Sequence, residues 1–395
     1  MVPGSCPGRL LDLTRLVSRV GRGPMTGVDR VEFAYLTEFL ARSDPVHGLV
    51  RTRFGFVLLD RTGMAALRGR LRGEPAGKPD LIGRMSWRHD PKRAAAESDV
   101  RRDALARVTV PLLGRLLRQL PKGIQYFNVG HANLTDRVMA AVKSRNGRIA
   151  VLLHDTIPLD HPEFSRPGIP LVFGRKLAVV ARHADLVIHT TEDARQKTEA
   201  HLARSGRCPS AIVVPLGVEV PEPDPATPLP QNPYVVAIGT LEPRKNIGLL
   251  LDVWAAGGAA MPDLLLLGGR GWESDALFDR IAATPKVTHL PGLNDGAVAA
   301  LLAGSLALVF PSRAEGFGLP PVEAAALGVP VIASNLPVIR GLLGDYPVYL
   351  DPVDIYAWME TISDLTQGAG SARYRKSPIT PPDWENHFNS VLRSV

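Results

Sequence analysis

Cysteine and long apolar runs are both scarce in this sequence. Its 395 residues include two cysteines, Cys6 and Cys208, which are too few for a disulfide framework and too far apart for a cysteine zinc site. No HExxH or CxxC motif and no suitably placed DxD occurs, so we expect no metal centre. No segment supplies the roughly 18 apolar residues of a membrane span, and the first residues lack the apolar stretch of a secretory signal. We therefore expect a cytoplasmic protein in a reducing compartment, peripheral to the membrane at most.

Acidic residues are scarce in one region, residues 51–125. This region holds 17 lysines and arginines against 7 acids, a surplus of +10 in a chain whose net charge is +7. Such a region predicts an anionic partner. A nucleic acid is not expected, because the sequence has no RRM, KH or helix-turn-helix signature and the region lacks interleaved aromatic residues. The remaining candidate partner is an anionic membrane surface. Alternatively, the region is a solvated arginine-rich face without such a partner.

The second half of the chain alternates short apolar runs with segments of helical composition. Such runs are typical of parallel strands buried on both faces, and about six strand–helix units predict a Rossmann-like domain. Its predicted strands are 234–239, 263–268, 286–290, 306–310, 329–334 and 347–350. The first half repeats this theme less regularly, with candidate strands at 9–13, 54–59, 125–129, 148–153, 185–190 and 211–215. Residues 97–120 predict one amphipathic helix that Pro111 kinks or splits.

A proline-rich segment divides the chain. Residues 217–233 can continue neither a sheet nor a helix, so we predict a linker there. It joins an N-terminal Rossmann-like domain over 1–216, which carries a basic insert at about 60–122, to a C-terminal Rossmann-like domain over 234–378. The remainder, 379–395, predicts one last helix that packs back on the N-terminal domain. The predicted fold class is α/β, with two Rossmann-like domains facing each other across a cleft.

Two glutamates, Glu315 and Glu323, bracket a loop at the carboxyl end of a predicted strand. Gly316 and Gly318 let the loop backbone approach a ligand closely. A helix that begins at a pair of prolines follows, and its N-terminus favours an anion such as phosphate. The carboxylates can accept hydrogen bonds from the vicinal hydroxyls of a sugar. The alternatives are a plain surface glutamate in the loop and, for Glu323 in the first helical turn, a partner of the helix dipole.

Arg244 and Lys245 follow the first strand of the second half and precede a helix that Asn246 can cap. Two cations beside a helix N-terminus predict an anion site, and the alternative is a pair of exposed surface cations. His154 follows an apolar run, where it can bond a substrate hydroxyl, serve in acid–base chemistry or cap the strand end. Gly27 opens a helix after the first strand, where its backbone can approach a phosphate or an acceptor.

These motifs resemble one family. The spacing from Glu315 to Glu323 is similar to the E-x7-E motif of family-4 retaining glycosyltransferases of the GT-B fold. The similarity is specific over roughly 211–350 and thinner over 23–40 and 148–200. The stretches that carry it most clearly are IVVPLGV at 212–218, GTLEPRKNIGLLLDVW at 239–254 and the segment 290–334.

The resemblance implies transfer of a hexose-type sugar from a nucleotide-diphosphate-sugar, with retention at the anomeric carbon. It implies a glycan or lipid-linked acceptor in cell-surface polysaccharide or glycolipid synthesis, and neither a metal nor a cofactor. By position, the implied catalytic residues are Glu315, His154, Lys245 and Arg244. The implied donor-binding residues are Gly27, Gly239, Arg244, Lys245, Gly316, Phe317, Gly318, Leu319 and Glu323.

Each implied role is distinct. Arg244 and Lys245 would bind the donor diphosphate, Glu315 and the loop amides would hold the donor sugar, and Glu323 would accept the ribose hydroxyls. His154 would contact the sugar near the reacting centre. Arg244, Lys245, Glu315 and Glu323 would share one edge of the implied C-terminal nucleotide-sugar domain. The acceptor would bind on the N-terminal side.

Other interpretations stay open. One is another GT-B enzyme, such as a sugar phosphorylase or a nucleotide-sugar epimerase, and another is a non-catalytic basic membrane-binding homologue. The basic insert departs from the pattern of the family and leaves the acceptor site open. A basic amphipathic face there would suit a lipid-linked acceptor at an anionic membrane.

Overall fold

The computed structural model describes residues 7–86, 90–366, 374 and 376–395. Cys6 and residues 87–89 of the predicted basic insert lie outside the described residues, as do 367–373 and 375 near the end of the predicted C-terminal domain. The described residues form two sheets, and apolar clusters cover both faces of each. The predicted α/β class with two Rossmann-like domains is confirmed.

Eight strands form the N-terminal sheet: β1 (Arg9–Asp12), β2 (Val46–Thr52), β3 (Gly55–Leu59), β4 (Ala106–Val108), β5 (Gln125–Asn128), β6 (Arg148–Leu153), β7 (Leu186–His189) and β8 (Ser210–Val213). Their spatial order is β4-β3-β2-β1-β5-β6-β7-β8. β3 runs antiparallel to β2 and β4, and the other neighbours are parallel. The six candidate strands of the first half are all present, whereas β2 and β4 were not predicted.

Ten helices surround this sheet among the described residues: α1 (Thr14–Val17), α2 (Gly27–Ala41), α3 (Arg61–Leu71), α4 (Leu81–Ser86), α5 (Pro91–Arg102), α6 (Leu113–Leu117), α7 (Asp136–Lys143), α8 (Ile157–Asp160), α9 (Ile169–His183) and α10 (Glu192–Ala203). Single 3-10 turns lie at Val110–Leu112 and Pro162–Phe164.

The helix predicted over 97–120 is interrupted before it reaches Pro111, so the predicted cause of the break is wrong. α5 ends at Arg102, and the chain then pairs with the open edge of β3, where Leu105 donates its N–H to the carbonyl of Leu58 at 2.9 Å. An open strand edge offers unpaired backbone groups, and β4 satisfies them. Pro111 therefore lies in a 3-10 turn and does not kink a helix.

Six parallel strands form the C-terminal sheet: β9 (Tyr234–Ile238), β10 (Asp263–Leu267), β11 (Val287–Leu290), β12 (Leu308–Phe310), β13 (Val331–Ser334) and β14 (Val348–Leu350). Their order is β11-β10-β9-β12-β13-β14, and all six strands were predicted. The accompanying helices are α11 (Ile247–Gly257), α12 (Asp275–Ala283), α13 (Asp295–Ala303), α14 (Leu319–Ala326), α15 (Pro337–Leu343) and α16 (Ile355–Asp364), with 3-10 turns at Pro243–Lys245 and Gly258–Ala260.

The last helix, α17 (Trp384–Ser394), packs on α2 of the N-terminal domain. The rings of Tyr35 and Phe388 lie 4.9 Å apart, and the Tyr35 hydroxyl is 2.8 Å from Nε2 of His387. Asp383 accepts a hydrogen bond from the backbone N–H of Asn386 at 2.7 Å, which confirms it as the N-cap. No helix among the described residues is long and apolar enough to cross a membrane.

Both sheets reverse their strand order once, between β1 and β5 in the N-terminal sheet and between β9 and β12 in the C-terminal sheet. In open α/β sheets the loops that leave the carboxyl ends of such strands diverge and open a crevice for a ligand. The loops after β9 and β12 carry Arg244, Lys245 and Glu315. The topology therefore brings the two predicted motifs of the second half to one place.

Candidate active site

Backbone and side-chain hydrogen bonds tie the loop after β9 to the loop after β12. The N–H of Arg313 donates to the carbonyl of Arg244 at 2.8 Å. The side-chain amide of Asn246 donates to the carbonyls of Pro311 and Pro352 at 3.2 and 2.9 Å. Asn246 starts α11 with φ of 56° but forms no side-chain cap, so the predicted capping role is wrong. Its side chain instead fixes the geometry between the two loops.

Glu315 lies between two cations at this edge. Its carboxylate is 2.6 Å from Nζ of Lys245 and 2.8 Å from Nη1 of Arg244. Burial opposes the ionisation of Glu315, but the two cations outweigh it and lower its pKa to about 2. Burial lowers the pKa of Lys245, and Glu315 counteracts that effect. The group is charged at neutral pH, with more positive than negative charge among these three side chains.

Two further contacts fix the cations. Glu242 lies 3.2 Å from Nε of Arg244, and Nζ of Lys245 lies 4.7 Å from the centre of the Phe310 ring, a cation–π distance. Gly239 has φ of +142°, and a Cβ there would lie 3.1 Å from Cε of Lys245. The lysine thus passes directly over the glycine, which explains why a glycine is suited to this position.

The loop after Glu315 packs against the N-terminal domain. A Cβ on Gly316 would lie 2.8 Å from the carbonyl oxygen of His154 and 2.9 Å from Oδ2 of Asp155. Gly318 starts α14 with φ of +95°, and a Cβ there would lie 2.4 Å from Ile339. Both glycines therefore allow close approach, the first across the cleft and the second within the C-terminal domain.

The first turn of α14 has few free donors. Prolines occupy its second and third positions and have no N–H, so the amides available to an anion are those of residues 316–319. Phe317 is buried. Leu319 faces the other domain, since a Cβ on Gly27 would lie 3.4 Å from its side chain. Gly27 is thus placed at the cleft, next to the predicted donor loop.

Glu323 is the fifth residue of α14, so its predicted place in the first helical turn is wrong. Its Oε1 is 3.0 Å from Nη1 of Arg30, which comes from α2 of the N-terminal domain. The other guanidinium nitrogen, Nη2, is 2.6 Å from Asp295 on α13. Burial raises the pKa of Glu323, and Arg30 opposes that rise. Because Glu323 pairs with Arg30, an interaction with the helix dipole does not by itself account for this carboxylate.

His154 lies on the opposite side of the cleft, at the end of β6. Its Nε2 is 2.7 Å from the carbonyl of Val129, so Nε2 carries the proton and Nδ1 is the accepting nitrogen. Burial lowers the pKa of His154 to about 4. The ring of His131 lies 5.0 Å away, and burial lowers the pKa of His131 well below its usual value as well. Both imidazoles are neutral at physiological pH.

Asp155, which follows His154, orients the next loop. Its Oδ1 accepts a hydrogen bond from the N–H of Ile157 at 3.0 Å. Across the cleft, the hydroxyl of Thr190 donates to the carbonyl of Gly316 at 3.4 Å. Among the described residues, no group of three or more His, Cys, Asp or Glu side chains is placed to hold a metal ion.

The geometry brings the predicted residues into two groups. Glu315, Arg244, Lys245 and Gly239 form one compact cluster, while His154 and Gly27 reach the donor loop from the other domain. The sequence did not reveal Arg30 and His131. Arg30 lies one helical turn after Gly27, which was a usable signal for its position, but its acidic partners lie more than 260 residues away.

Residues 222–377 match the family described as Glycosyl transferases group 1. This span contains Glu315, Glu323, Arg244 and Lys245. The matched residues thus include the whole ionic cluster, and the predicted family resemblance is confirmed.

Two relatives are mannosyltransferases by name. The chain is 30% identical over 272 residues to the serotype-specific mannosyltransferase WbdA of Escherichia coli, which covers 62% of this chain and 33% of WbdA. It is 28% identical over 230 residues to the O-antigen chain mannosyltransferase RfbU of Salmonella typhimurium, which covers 56% of this chain and 62% of RfbU. The chain therefore matches about a third of the length of WbdA.

The fold is similar to that of Anabaena Alr3699/HepE, solved in complex with UDP and glucose. The TM-score is 0.62 at 16% identity, with 98% of this chain and 100% of HepE covered. At this identity the likeness concerns the fold, and it confirms the predicted GT-B architecture.

Proposed function

We propose that the protein is a retaining glycosyltransferase, a proposal that starts from the match of residues 222–377 to the family described as Glycosyl transferases group 1. It moves a hexose from a nucleotide-diphosphate-sugar to a glycan or lipid-linked acceptor. The observation that carries the proposal is Glu315 held between Arg244 and Lys245 beside the amides of residues 316–319. Mannose is the first candidate sugar, because two relatives are named mannosyltransferases.

The cations act on the leaving group. A diphosphate that enters the crevice meets Arg244 and Lys245 together with the loop amides, and these donors stabilise the negative charge that develops as the anomeric C–O bond breaks. In the ligand-free protein the counter-ion of Arg244 and Lys245 is the carboxylate of Glu315. No metal is needed in this scheme, because fixed positive charge does the work of a divalent ion.

Glu315 is a positioning group and does not attack the sugar. Two cations engage its oxygens and hold its pKa at about 2, which makes it a weak nucleophile. Retention then follows from attack on the same face that the phosphate leaves. The acceptor oxygen bonds to the anomeric carbon, the phosphate oxygen departs, and that oxygen takes the acceptor proton.

His154 contributes a fixed acceptor from the N-terminal side. Since Nε2–H donates to the carbonyl of Val129, Nδ1 can accept a hydrogen bond from a hydroxyl of the transferred sugar. The lowered pKa keeps the ring neutral, so it adds no positive charge beside an electron-poor anomeric carbon. This role is orientation, with no proton transfer in the reaction.

The acceptor side supports docking at an anionic membrane surface, but through a smaller region than 51–125. Arg70, Arg93, Arg101 and Arg102 pair with acids within the insert. Nine exposed cations of 51–125 make none of the ion pairs found among the described residues, and four of them lie together in one segment: Arg107, Arg115, Arg118 and Lys122. The exposed side chains of Leu105 and Leu112 lie along the same segment. Residues 105–122, termed the docking segment, combine apolar and basic groups as membrane-surface segments do. This would place the enzyme at the cytoplasmic face of a membrane.

The experiment is direct transfer. Thermal shift with UDP, GDP, ADP and CMP identifies the nucleotide, since a specific ligand stabilises the native state. The corresponding nucleotide-sugars are then supplied with a mannose-containing oligosaccharide acceptor and with a chelator present. Product with the anomeric configuration of the donor, detected by NMR, supports the proposal. Inverted product, or activity that a chelator abolishes, contradicts it.

A further inference from the structure

Arg30 crosses the cleft. It lies on α2 of the N-terminal domain, and its guanidinium reaches two acids of the C-terminal domain. Nη1 is 3.0 Å from Glu323 on α14, and Nη2 is 2.6 Å from Asp295 at the start of α13. One planar group thus joins three helices, and its forked donors suit two carboxylates better than the single ammonium of a lysine would.

The two acids differ in how much they need this partner. The side chain of Glu323 is 11% exposed, whereas that of Asp295 is 51% exposed. A buried carboxylate without a counter-charge is costly, so burial favours its neutral form. Burial raises the pKa of Glu323, and Arg30 opposes this both by charge and by hydrogen bonding. Water can solvate Asp295 in place of the guanidinium, but it cannot do so for Glu323.

An ionised Glu323 has room for more than one donor. A carboxylate offers about four lone-pair sites on its two oxygens. Arg30 uses one of them, on Oε1, which leaves acceptor sites for a pair of vicinal hydroxyls. A protonated Glu323 would lose this capacity in part, because one oxygen would become a donor.

We propose that Arg30 is a positioning residue that couples the N-terminal domain to the nucleotide. It keeps Glu323 ionised and oriented so that Glu323 can accept hydrogen bonds from the ribose of the donor, and it holds α2 against α13 and α14 while doing so. The inference rests on the proposed function, since it assumes that the ligand is a ribonucleotide. In this scheme Arg30 acts through Glu323 and not through a contact of its own with the donor.

The test compares ribonucleotides with their 2′-deoxy forms. Binding of UDP, GDP and ADP and of 2′-deoxy-UDP, 2′-deoxy-GDP and 2′-deoxy-ADP is measured by calorimetry. The variants are Arg30→Ala, Arg30→Lys, Glu323→Gln and, as the matched control, Asp295→Asn. For the nucleotide that binds best, the wild type prefers the ribo form by on the order of tenfold, the value of a hydrogen bond to a charged group.

Arg30→Ala and Glu323→Gln should each bring this preference close to one. Arg30→Lys should recover part of it, because an ammonium still supplies the charge. Asp295→Asn should keep the wild-type preference within about twofold, because the pair with Glu323 remains. If Arg30→Ala does not fold, which circular dichroism reports, Arg30→Lys against Asp295→Asn decides the question.

Three results would overturn the inference. The first is that Arg30→Ala keeps the preference for the ribo form while Glu323→Gln loses it. This result would leave the proposed function intact. The second is tighter nucleotide binding in Arg30→Ala, which would make Arg30 an obstruction in the ribose site. The third is a wild type that binds none of the nucleoside diphosphates, which removes the proposed function as well.

Discussion

The two sides of the cleft treat charge in opposite ways. On the C-terminal side Glu315, Arg244 and Lys245 are all ionised, and the carboxylate of Glu315 lies 2.8 Å from Arg244 and 2.6 Å from Lys245. On the N-terminal side burial disfavours the charged forms of two histidines. His154 and His131 have lowered pKa values.

Glu32, on α2, extends this contrast. Both of its carboxylate oxygens are buried without a hydrogen-bond partner among the described residues. Burial raises the pKa of Glu32 well above its usual value, and nearby Asp12 adds to the effect. The side that would meet a diphosphate thus presents two cations to an anion, whereas on the other side burial disfavours the charged forms of His154, His131 and Glu32.

The strongest test of this contrast removes charge from the C-terminal side. We expect Lys245→Ala to lower kcat by about 10²–10³, the usual effect of losing one fixed group that stabilises transition-state charge. We expect a loss of about 10² for Glu315→Gln, because a misplaced donor sugar reacts slowly. The two variants should differ in binding. Lys245→Ala weakens nucleoside diphosphate binding, whereas Glu315→Gln leaves it equal or tighter, because the cations lose a competing anion.

Steady-state transfer assays give kcat, and calorimetry gives the dissociation constants. The circular dichroism spectrum of each variant controls for folding. Near-normal turnover in both variants would refute the assigned roles. Equal loss of nucleotide affinity in both would show that Glu315 only holds the cations in place.

The second test acts on the N-terminal side. His154→Ala should lower kcat by roughly 10–100-fold, since it removes one orienting hydrogen bond to the transferred sugar. The affinity for the free nucleoside diphosphate should not change, because the proposed diphosphate site lies on the other side of the cleft. His154→Asn serves as the conservative control and should retain more activity. A weakened diphosphate affinity in His154→Ala would contradict the division between the two sides.

The sequence revealed much more of one side than of the other. Glu315, Arg244 and Lys245 lie in short loops directly after apolar strands, so strand topology alone brings them together. The N-terminal side depends on contacts that no local pattern encodes. Arg30 meets Glu323 across 293 positions, and β4 replaces part of a helical pattern because β3 has an open edge.

Asn246 shows the same limit within a single motif. Its type and position suit a helix cap, yet the backbone at φ of 56° directs its amide to two other loops. Local propensity predicted where the helix begins. Tertiary hydrogen bonds decided what the side chain does.

Acidification should destabilise the N-terminal side of the cleft before the C-terminal side. Burial lowers the pKa of His387 to about 4 despite its hydrogen bonds to backbone carbonyls, as it does for His154. A folded-state pKa below the unfolded value of about 6.5 stabilises the protein above pH 6.5, and the effect is lost as the pH falls to about 4. Each such histidine contributes up to about 3 kcal/mol of this loss. Glu315, with a pKa of about 2, loses its contribution only in more acidic solution.

Hydrogen exchange at pH 7.5, 6 and 5 measures this separation. β5 and β6, next to His131 and His154, should lose protection before β9 and β12. In urea unfolding, His387→Gln should show a smaller loss of free energy between pH 7 and 5 than the wild type. Simultaneous loss of protection in both sheets, with no effect of His387→Gln, would exclude histidine protonation as the cause.

The smallest expected effect concerns the outer face of the N-terminal domain. Arg118→Gln, in the docking segment, should weaken binding to vesicles with 30% anionic lipid by about fivefold, since one basic residue near such a surface contributes about 1 kcal/mol. Arg280→Gln, an exposed arginine of the C-terminal domain, is the matched control and should change it little. Co-sedimentation at two salt concentrations measures both, because screening weakens surface electrostatics. Equal effects of the two substitutions would show that net charge alone drives the binding, and the two domains would then not differ in their approach to a membrane.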